Sequence, residues 1–339
     1  MNNIFPKSFS LILCCVFFHC FCFNPSLHAR GVDELSTRSK GEAGRINDLT
    51  IYSLKGSSGV AMIRLFEEPP KIRGFNVRVE ALAQADLMAA RFLSGEAEVG
   101  ILPPNVAAKI ASSGKDIKAV AVVGAGMLSL FSSDPSVRRL EDLRGKTVEV
   151  AGQGATPDYV FRKILASNDL SADRDLRFGY SLANPEIAQS LIAGRISSAL
   201  LPEPFATMAL MGKSDLKSVL DIQDEWIKAG GAGNYPMTLL VADGAFASAN
   251  PEALGEILDA VKKSIEWVCS NPAEAGTLVE KHGLGIRAAV AAAAIPKSNY
   301  VFIPAAEARP SLESLFSVFL ENSPVSIGGF LPGDGFYWR

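Results

Sequence analysis

Beyond its first 29 residues the chain has one cysteine, Cys269, and one histidine, His282. A single thiol cannot close an internal disulfide, so stability must come from packing. So small a supply leaves no metal-ligand spacing, and no nucleophile elbow is present. Neither sign of charge is in large excess: 33 Lys and Arg against 36 Asp and Glu give a formal charge of -3, which argues against a nucleic-acid partner. After residue 29 no apolar run is long enough to cross a bilayer. Internal repeats and low-complexity tracts are missing. Gly124-Ala-Gly126 and Gly152-Gln-Gly154 each carry only part of a dinucleotide-binding fingerprint, without the third glycine or a placed acid after the next strand.

The first 29 residues read as an export signal, with Lys7 ahead of an apolar run from Phe9 to Phe23 that is short for a membrane span. Cleavage after Ala29 is expected, although Leu27 is larger than usual three residues before the cut. Cys20 and Cys22 leave a lipid anchor as the alternative, against which stand the bulky His19 and Phe21. The expected location is periplasmic or otherwise extracytoplasmic, with membrane contact only through a partner or such an anchor. Residues 30–45, almost free of apolar side chains, read as a flexible leader. What remains exceeds the usual size of one hydrophobic core, so two lobes are expected.

Strand and helix signals then alternate. Strands are predicted over Leu49–Leu54, Asn76–Ala81, Glu98–Leu102 and Lys118–Val123, and helices over Ala85–Gly95 and Val106–Ser112. A helical run carrying Val60, Ile63, Leu65 and Phe66 follows the first strand. A second series gives strands Thr147–Ala151, Leu176–Tyr180 and Ser198–Leu201 with helices Asp158–Asn168 and Pro185–Ala193. Strand Met237–Val241 resumes the first series. From Pro251 onward the pattern is helical, with Leu254, Ile257, Leu258, Val261, Ile265 and Val268 on one face, and Cys269 read as buried filler. This βα alternation implies parallel sheets covered by helices. The simplest topology is one lobe interrupted by another, 46–130 plus 235–339 around 131–234, with hinge crossings at Leu128–Asp134 and Asn234–Thr238.

Five loops fall at carboxyl ends of the predicted strands, where open α/β sheets bind ligands. They are Gly56–Gly59, Pro103–Asn105, Gly124–Met127, Gly152–Thr156 and Pro202–Phe205. In the fourth, Gly152 and Gly154 permit unusual backbone angles, Thr156 is a natural N-cap and Pro157 suits the first helical position. That turn is either a cradle whose N–H groups and helix dipole receive an acidic or carbonyl-bearing molecule, or an ordinary strand-to-helix connection. Asn105 is a cap that also aims free N–H groups. Ser57 and Ser58 are turn residues or ligand contacts. Glu203, between two prolines, is held rigidly enough to accept bonds from an amine or ring N–H, or to pair with an Arg. Met127, Phe205 and Tyr235 supply apolar walls or ordinary core. His282, just before Gly283, reads as an exposed cap.

The segments Leu140-Glu-Asp-Leu-Arg-Gly-Lys-Thr147, Gly152-Gln-Gly-Ala-Thr-Pro157, Leu200-Leu-Pro-Glu-Pro-Phe-Ala206 and Tyr235-Pro-Met-Thr-Leu-Leu-Val241 carry a family likeness. The chain resembles the substrate-binding proteins of ABC importers, in the group that carries thiamine pyrimidines, riboflavin, alkanesulfonates, taurine and nitrate. The resemblance implies a type 2 periplasmic-binding fold, closure of two lobes on a small ligand, and a permease and ATPase as partners, with no cofactor. It also implies that Ser57, Ser58, Asn105, Gly154, Ala155, Thr156 and Glu203 border the cleft. Only Lys55 among the loops is cationic, which favours a heteroaromatic such as a thiamine pyrimidine or flavin precursor over a sulfonate or nitrate. Related pyrimidine-synthesising enzymes use a Cys-rich motif, and nothing like it stands after residue 29. A lyase or synthase on the same scaffold, or a ligand-sensing receptor subunit, are the alternatives.

Overall fold

The computed structural model describes residues 46–339, so the export signal and leader expected before Ile46 lie outside the described residues. Strand β1 (Asn47–Leu54) is followed by the helices Ser57–Ala61 and Ile63–Glu67, then β2 (Phe75–Leu82), the helix Ala85–Ser94, β3 (Val99–Leu102), the helix Pro104–Ser112 and β4 (Ile117–Ala125). After two residues the chain enters β5 (Leu128–Ser132), and continues through β6 (Thr147–Val150), the helix Thr156–Ser167, β7 (Arg177–Gly179), the helix Asn184–Ile192, β8 (Ser198–Pro202), the helix Phe205–Gly212 and β9 (Lys217–Asp221). The helix Ile222–Lys228 leads to β10 (Pro236–Asp243), and β11 (Tyr300–Pro304) lies between the helices Pro251–Ser270, Pro272–Lys281 and Ala288–Ala294 and the final long helix Ala305–Asn322.

These strands make two sheets, ordered β11-β4-β10-β3-β1-β2 and β7-β6-β8-β5-β9. Strict alternation along β10 buries both of its faces. Leu239 and Val241 join the core shared with the helices Ala85–Ser94 and Ala305–Asn322, while Leu240 and Ala242 join the one under Pro251–Ser270. The first of these cores runs on into the second sheet through Leu130, Val148, Val150 and Leu200 against Phe161, Ile164 and Leu165. On the far side of that sheet Ala199 and Leu201 pack against Ile187 and Leu191.

The sheets are mixed rather than wholly parallel, and crossing explains why. β1, β2 and β3 run together, as do β6, β7 and β8, but β10 is antiparallel to β3 and β4, and β5 to β8 and β9. β4 leaves its sheet at the carboxyl edge, so β5 starts at the facing edge of the next sheet and runs away from it. β10 makes the same passage in return. The residues Leu128–Ser132, expected to be a hinge, are therefore a strand, and the first crossing is Gly126–Met127. β11, expected to be helical, pairs antiparallel with β4. Cys269 is exposed, not buried filler: it sits about 100° past Val268 on a helix whose inward residues are Leu254, Ile257, Val261, Ile265 and Val268.

Candidate functional site

Four of the five expected loops meet at the carboxyl ends of the two sets of parallel strands, around a cavity of about 170 Å³. Gly56, Ser57 and Ser58 come from the turn after β1, Pro103 from the end of β3, Met127 from the first crossing, and Pro202, Glu203 and Phe205 from the end of β8. Asn184, at the first position of its helix after β7, completes the lining and was not singled out from sequence. Its Asn-Pro pair reads there as an ordinary helix start, yet its Oδ1 is buried with no partner. A buried amide oxygen without a donor is costly, and a ligand N–H in this cavity would satisfy it.

The remaining loop, Gly152–Thr156, borders a neighbouring cavity of about 440 Å³, which brings Asn105 and Gly154 together with Asp86, Lys109 and Ser326. Asn105 Oδ1 is also buried without a partner. It is not an N-cap, because that position belongs to Pro103 and Asn105 lies at the second residue of its helix.

Met127 turns back over Gly124, where a Cβ would stand 2.7 Å from the Met127 methyl. Its Sδ lies 3.2 Å from the Ser57 hydroxyl, which is 3.5 Å from the Tyr300 hydroxyl. Burial pushes the Tyr300 phenol up to about 12, so it stays protonated. The Ser58 hydroxyl is used locally, donating to Leu54 O at 3.1 Å and accepting from Leu54 N–H at 3.3 Å. Of the two serines, Ser57 is the one available to a ligand.

Glu203 is 6% exposed and, among the described residues, pairs with no arginine. Its Oε2 accepts from the Thr207 N–H and its Oε1 from the Thr207 hydroxyl, each at 3.0 Å. Burial raises its pKa above the usual carboxylate value, while the two Thr207 bonds and the charge of Lys297 oppose that rise. Each oxygen keeps a further lone pair, so the group remains an acceptor.

The Gly152–Thr156 turn differs from its expected form. The helix begins at Thr156, so Ala155 holds the N-cap position and Thr156 does not cap, its hydroxyl buried without a partner. Two of its backbone donors are spent internally. Ala155 N–H donates to Gly152 O at 3.1 Å, and Gly154 N–H to Asp158 Oδ2 at 2.8 Å. Asp158, one turn into the helix and 2% exposed, thus fills the helix start from within. Its Oδ1 accepts from Arg162 Nε at 2.7 Å and from the Tyr180 hydroxyl at 3.0 Å. Asp158 looks in sequence like any first-turn acid; only the fold brings Tyr180 and Gly154 to it.

Of the two readings of Tyr235, cleft wall or ordinary core, the structure gives the core: it is fully enclosed beside Trp226, ring centroids 5.7 Å apart. Its hydroxyl accepts from Leu128 N–H at 3.1 Å, and its carbonyl from Gly126 N–H at 3.0 Å. One residue therefore ties the two crossings together. His282 lies 2.8 Å through Nε2 from Glu67 Oε2, far in sequence from the loops of the cleft.

No group of His, Cys, Asp and Glu suited to a metal ion occurs among the described residues, and no helix there is long and apolar enough to cross a membrane. No curated protein matches the chain. Among solved structures the fold is similar to an ABC transporter protein from Parabacteroides distasonis, with TM-score 0.74, 25% identity, and 86% of this chain and 99% of that one covered. It is similar also to the periplasmic aliphatic sulphonate binding protein SsuA of Escherichia coli, with TM-score 0.69, 17% identity, and coverage of 86% and 92%. The periplasmic nitrate-binding protein NrtA of Synechocystis PCC 6803 follows at TM-score 0.56 and 12% identity, with coverage of 74% and 70%. The expected periplasmic-binding architecture, with two βα sheets and a helical C-terminal part, is borne out. Residues 71–275 match the family described as NMT1/THI5 like, and the chain belongs to that family.

Proposed function

We propose that this chain is the extracytoplasmic solute-binding component of an ABC importer, which captures a small heteroaromatic molecule between two lobes and presents it to a permease and its ATPase. The lobes, expected to divide at 130/131, divide instead at the first crossing, because β5 belongs with the second sheet, and they close about the two crossings. The observation that carries the reading is Asn184 Oδ1, buried and unpartnered in a cavity between the carboxyl ends of two sheets. That is where α/β folds take ligands. Glu203 adds a second acceptor and Met127 with Phe205 an apolar wall, while the only cation in the lining is Lys55 at its exposed rim. Acceptors outnumber cations, which suits ring or exocyclic N–H groups. A volume of about 170 Å³ lies below the roughly 300–1,000 Å³ common for drug-sized ligands. A single pyrimidine ring fits that scale better than a flavin.

The test is thermal unfolding of the purified protein against aminopyrimidines, thiamine, flavins, alkanesulfonates and nitrate, with recovery of each compound afterwards. A ligand that binds the native state raises the midpoint in proportion to ln(1 + [L]/Kd). A rise with an aminopyrimidine recovered unchanged is the expected result. Conversion of a compound would instead support an enzyme, and silence across the whole panel would refute this class of ligand.

A further inference from the structure

The Gly-rich turn after β6 has the outline of an oxyanion cradle, a strand end, two glycines and a twelve-residue helix. Its chemistry is the reverse. An anion at a helix start needs free N–H groups. Here Gly154 N–H is bound by Asp158 Oδ2, Ala155 N–H by Gly152 O, and residue 157 is a proline with no N–H to give, so of the donors at this helix start only those of Thr156 and Asp158 itself remain. The carboxylate that takes the anion's place is buried. It is held there by Arg162 Nε at 2.7 Å and the Tyr180 hydroxyl at 3.0 Å, with Arg162 Nη2 donating in turn to Tyr180 at 2.9 Å. Burial pushes the Tyr180 phenol up to about 12, so this donor persists across the physiological range. A second anion would have to displace Asp158 or sit beside its charge. Gly154 also lines the larger cavity, where the charged residues Asp86 and Lys109 carry opposite signs and Asn105 offers an unpartnered acceptor.

We propose that Asp158 is a specificity-determining residue: an internal stand-in for a bound anion that holds sulfonates and nitrate off the Gly152–Thr156 turn, so that the neighbouring cavity this turn borders favours neutral or cationic groups. This rests on the solute-binding reading and narrows its ligand class.

Titration calorimetry of the wild type and of Asp158→Asn, with methanesulfonate, nitrate and 4-aminopyrimidine as probes, tests it. Removing the charge leaves Arg162 with only the exposed Asp173, 3.2 Å from its Nη1, as a counter-ion and weakens the hold on Gly154 N–H. The variant is expected to bind methanesulfonate at least about tenfold more tightly than the wild type, while Asp158→Asn with Arg162→Gln loses most of that gain. No gain in Asp158→Asn, or a wild type that prefers methanesulfonate to 4-aminopyrimidine, overturns the proposal but leaves a solute receptor standing. A gain in the variant with no wild-type response to 4-aminopyrimidine supports the filter and counts against the heteroaromatic reading. Should the variant not fold, the wild-type Gly154 amide resonance decides. It must stay put as methanesulfonate is added, and a saturable shift overturns the proposal.

Discussion

Thr207→Val removes one hydroxyl and keeps the side chain's shape, and it isolates the bond on which the buried Glu203 carboxylate depends. In the native protein that carboxylate has two donors, the Thr207 N–H and Oγ1–H, each 3.0 Å away. The backbone donor survives the substitution. Loss of a hydrogen bond to a charged group costs about 1.5–3 kcal/mol, against about 0.5–1.5 kcal/mol when the acceptor is a neutral acid. The cost must therefore depend on pH, and its sign follows from burial. Glu203 has a folded pKa raised above its usual value of 4.5. Its favourable contribution is fully present below the unfolded pKa and fades as pH rises through the folded one. Thr207→Val takes away a bond that opposes the rise, so it lifts the folded pKa further and steepens the fade. At pH 8 the variant should lose about 1.5–3 kcal/mol, a drop of roughly 3–6 °C in midpoint at ~2 °C per kcal/mol. At pH 4, where the acid is protonated folded and unfolded, at most half of that should remain. Scanning calorimetry at the two pH values measures it, with Thr207→Ser as the control that keeps the hydroxyl. An equal penalty at both pH values, or a larger one at pH 4, would refute the account of Glu203.

Asn184→Ala should weaken the recognised ligand about five- to tenfold, the worth of one hydrogen bond, without lowering the unfolding midpoint of the free protein, because Oδ1 has no partner there; calorimetric titration beside a melting curve checks both halves. Tyr235→Phe strips the acceptor from Leu128 N–H inside a closed core, so denaturant unfolding should show a loss of about 1–3 kcal/mol. Gly126→Ala should cost at least about 1–3 kcal/mol in the same assay, since residue 126 has φ of +55° and a Cβ would lie 2.4 Å from Gln223 Oε1. An unfolding curve unchanged in either of these last two variants would contradict the picture of a tightly bonded crossing.

The alternation of strands and helices is legible because each element buries a periodic set of side chains. Leu239 to Ala242 and Leu254 to Val268 announce their faces in the sequence alone. Strand direction is not announced in this way. Leu128–Ser132 has the composition of a strand, but that it runs against its neighbours depends on the edge at which the chain arrives. For the site, the loops could be located from glycines and prolines, since turn chemistry is local. Their partners could not. Thr207 reaching back to Glu203 follows from a helix four residues long in its reach, whereas Tyr180 reaching Asp158 spans 22 residues and needs the parallel pairing of β6 with β7. Tyr235, by sequence a cleft wall or ordinary core, is decided in the same way. An aromatic beside a Gly-rich segment looks like a wall of the cleft until the second crossing is seen bonded to the first.

On the proposed reading, that bonding bears on how the two lobes would close. Gly126 N–H and Leu128 N–H both end on Tyr235, through its carbonyl and its hydroxyl, and Gln223 Oε1 accepts from Tyr235 N–H at 3.2 Å. A hinge built this way resists shear between the two crossings, because sliding either past the other would break bonds buried away from water. Rotation is cheaper. It needs only dihedral changes at flanking residues that tolerate them, and Gly126 and Gly233, with φ of +55° and +59°, stand on either side of the fastening. On the proposed reading the lobes turn about Tyr235, moving Ser57 and Met127 relative to Asn184 and Glu203. Those four groups are few and none is a cation, so affinity must come from fit and from donors on the ligand. The Gly-rich turn that could have supplied a cheap electrostatic hold is already occupied by the chain's own Asp158.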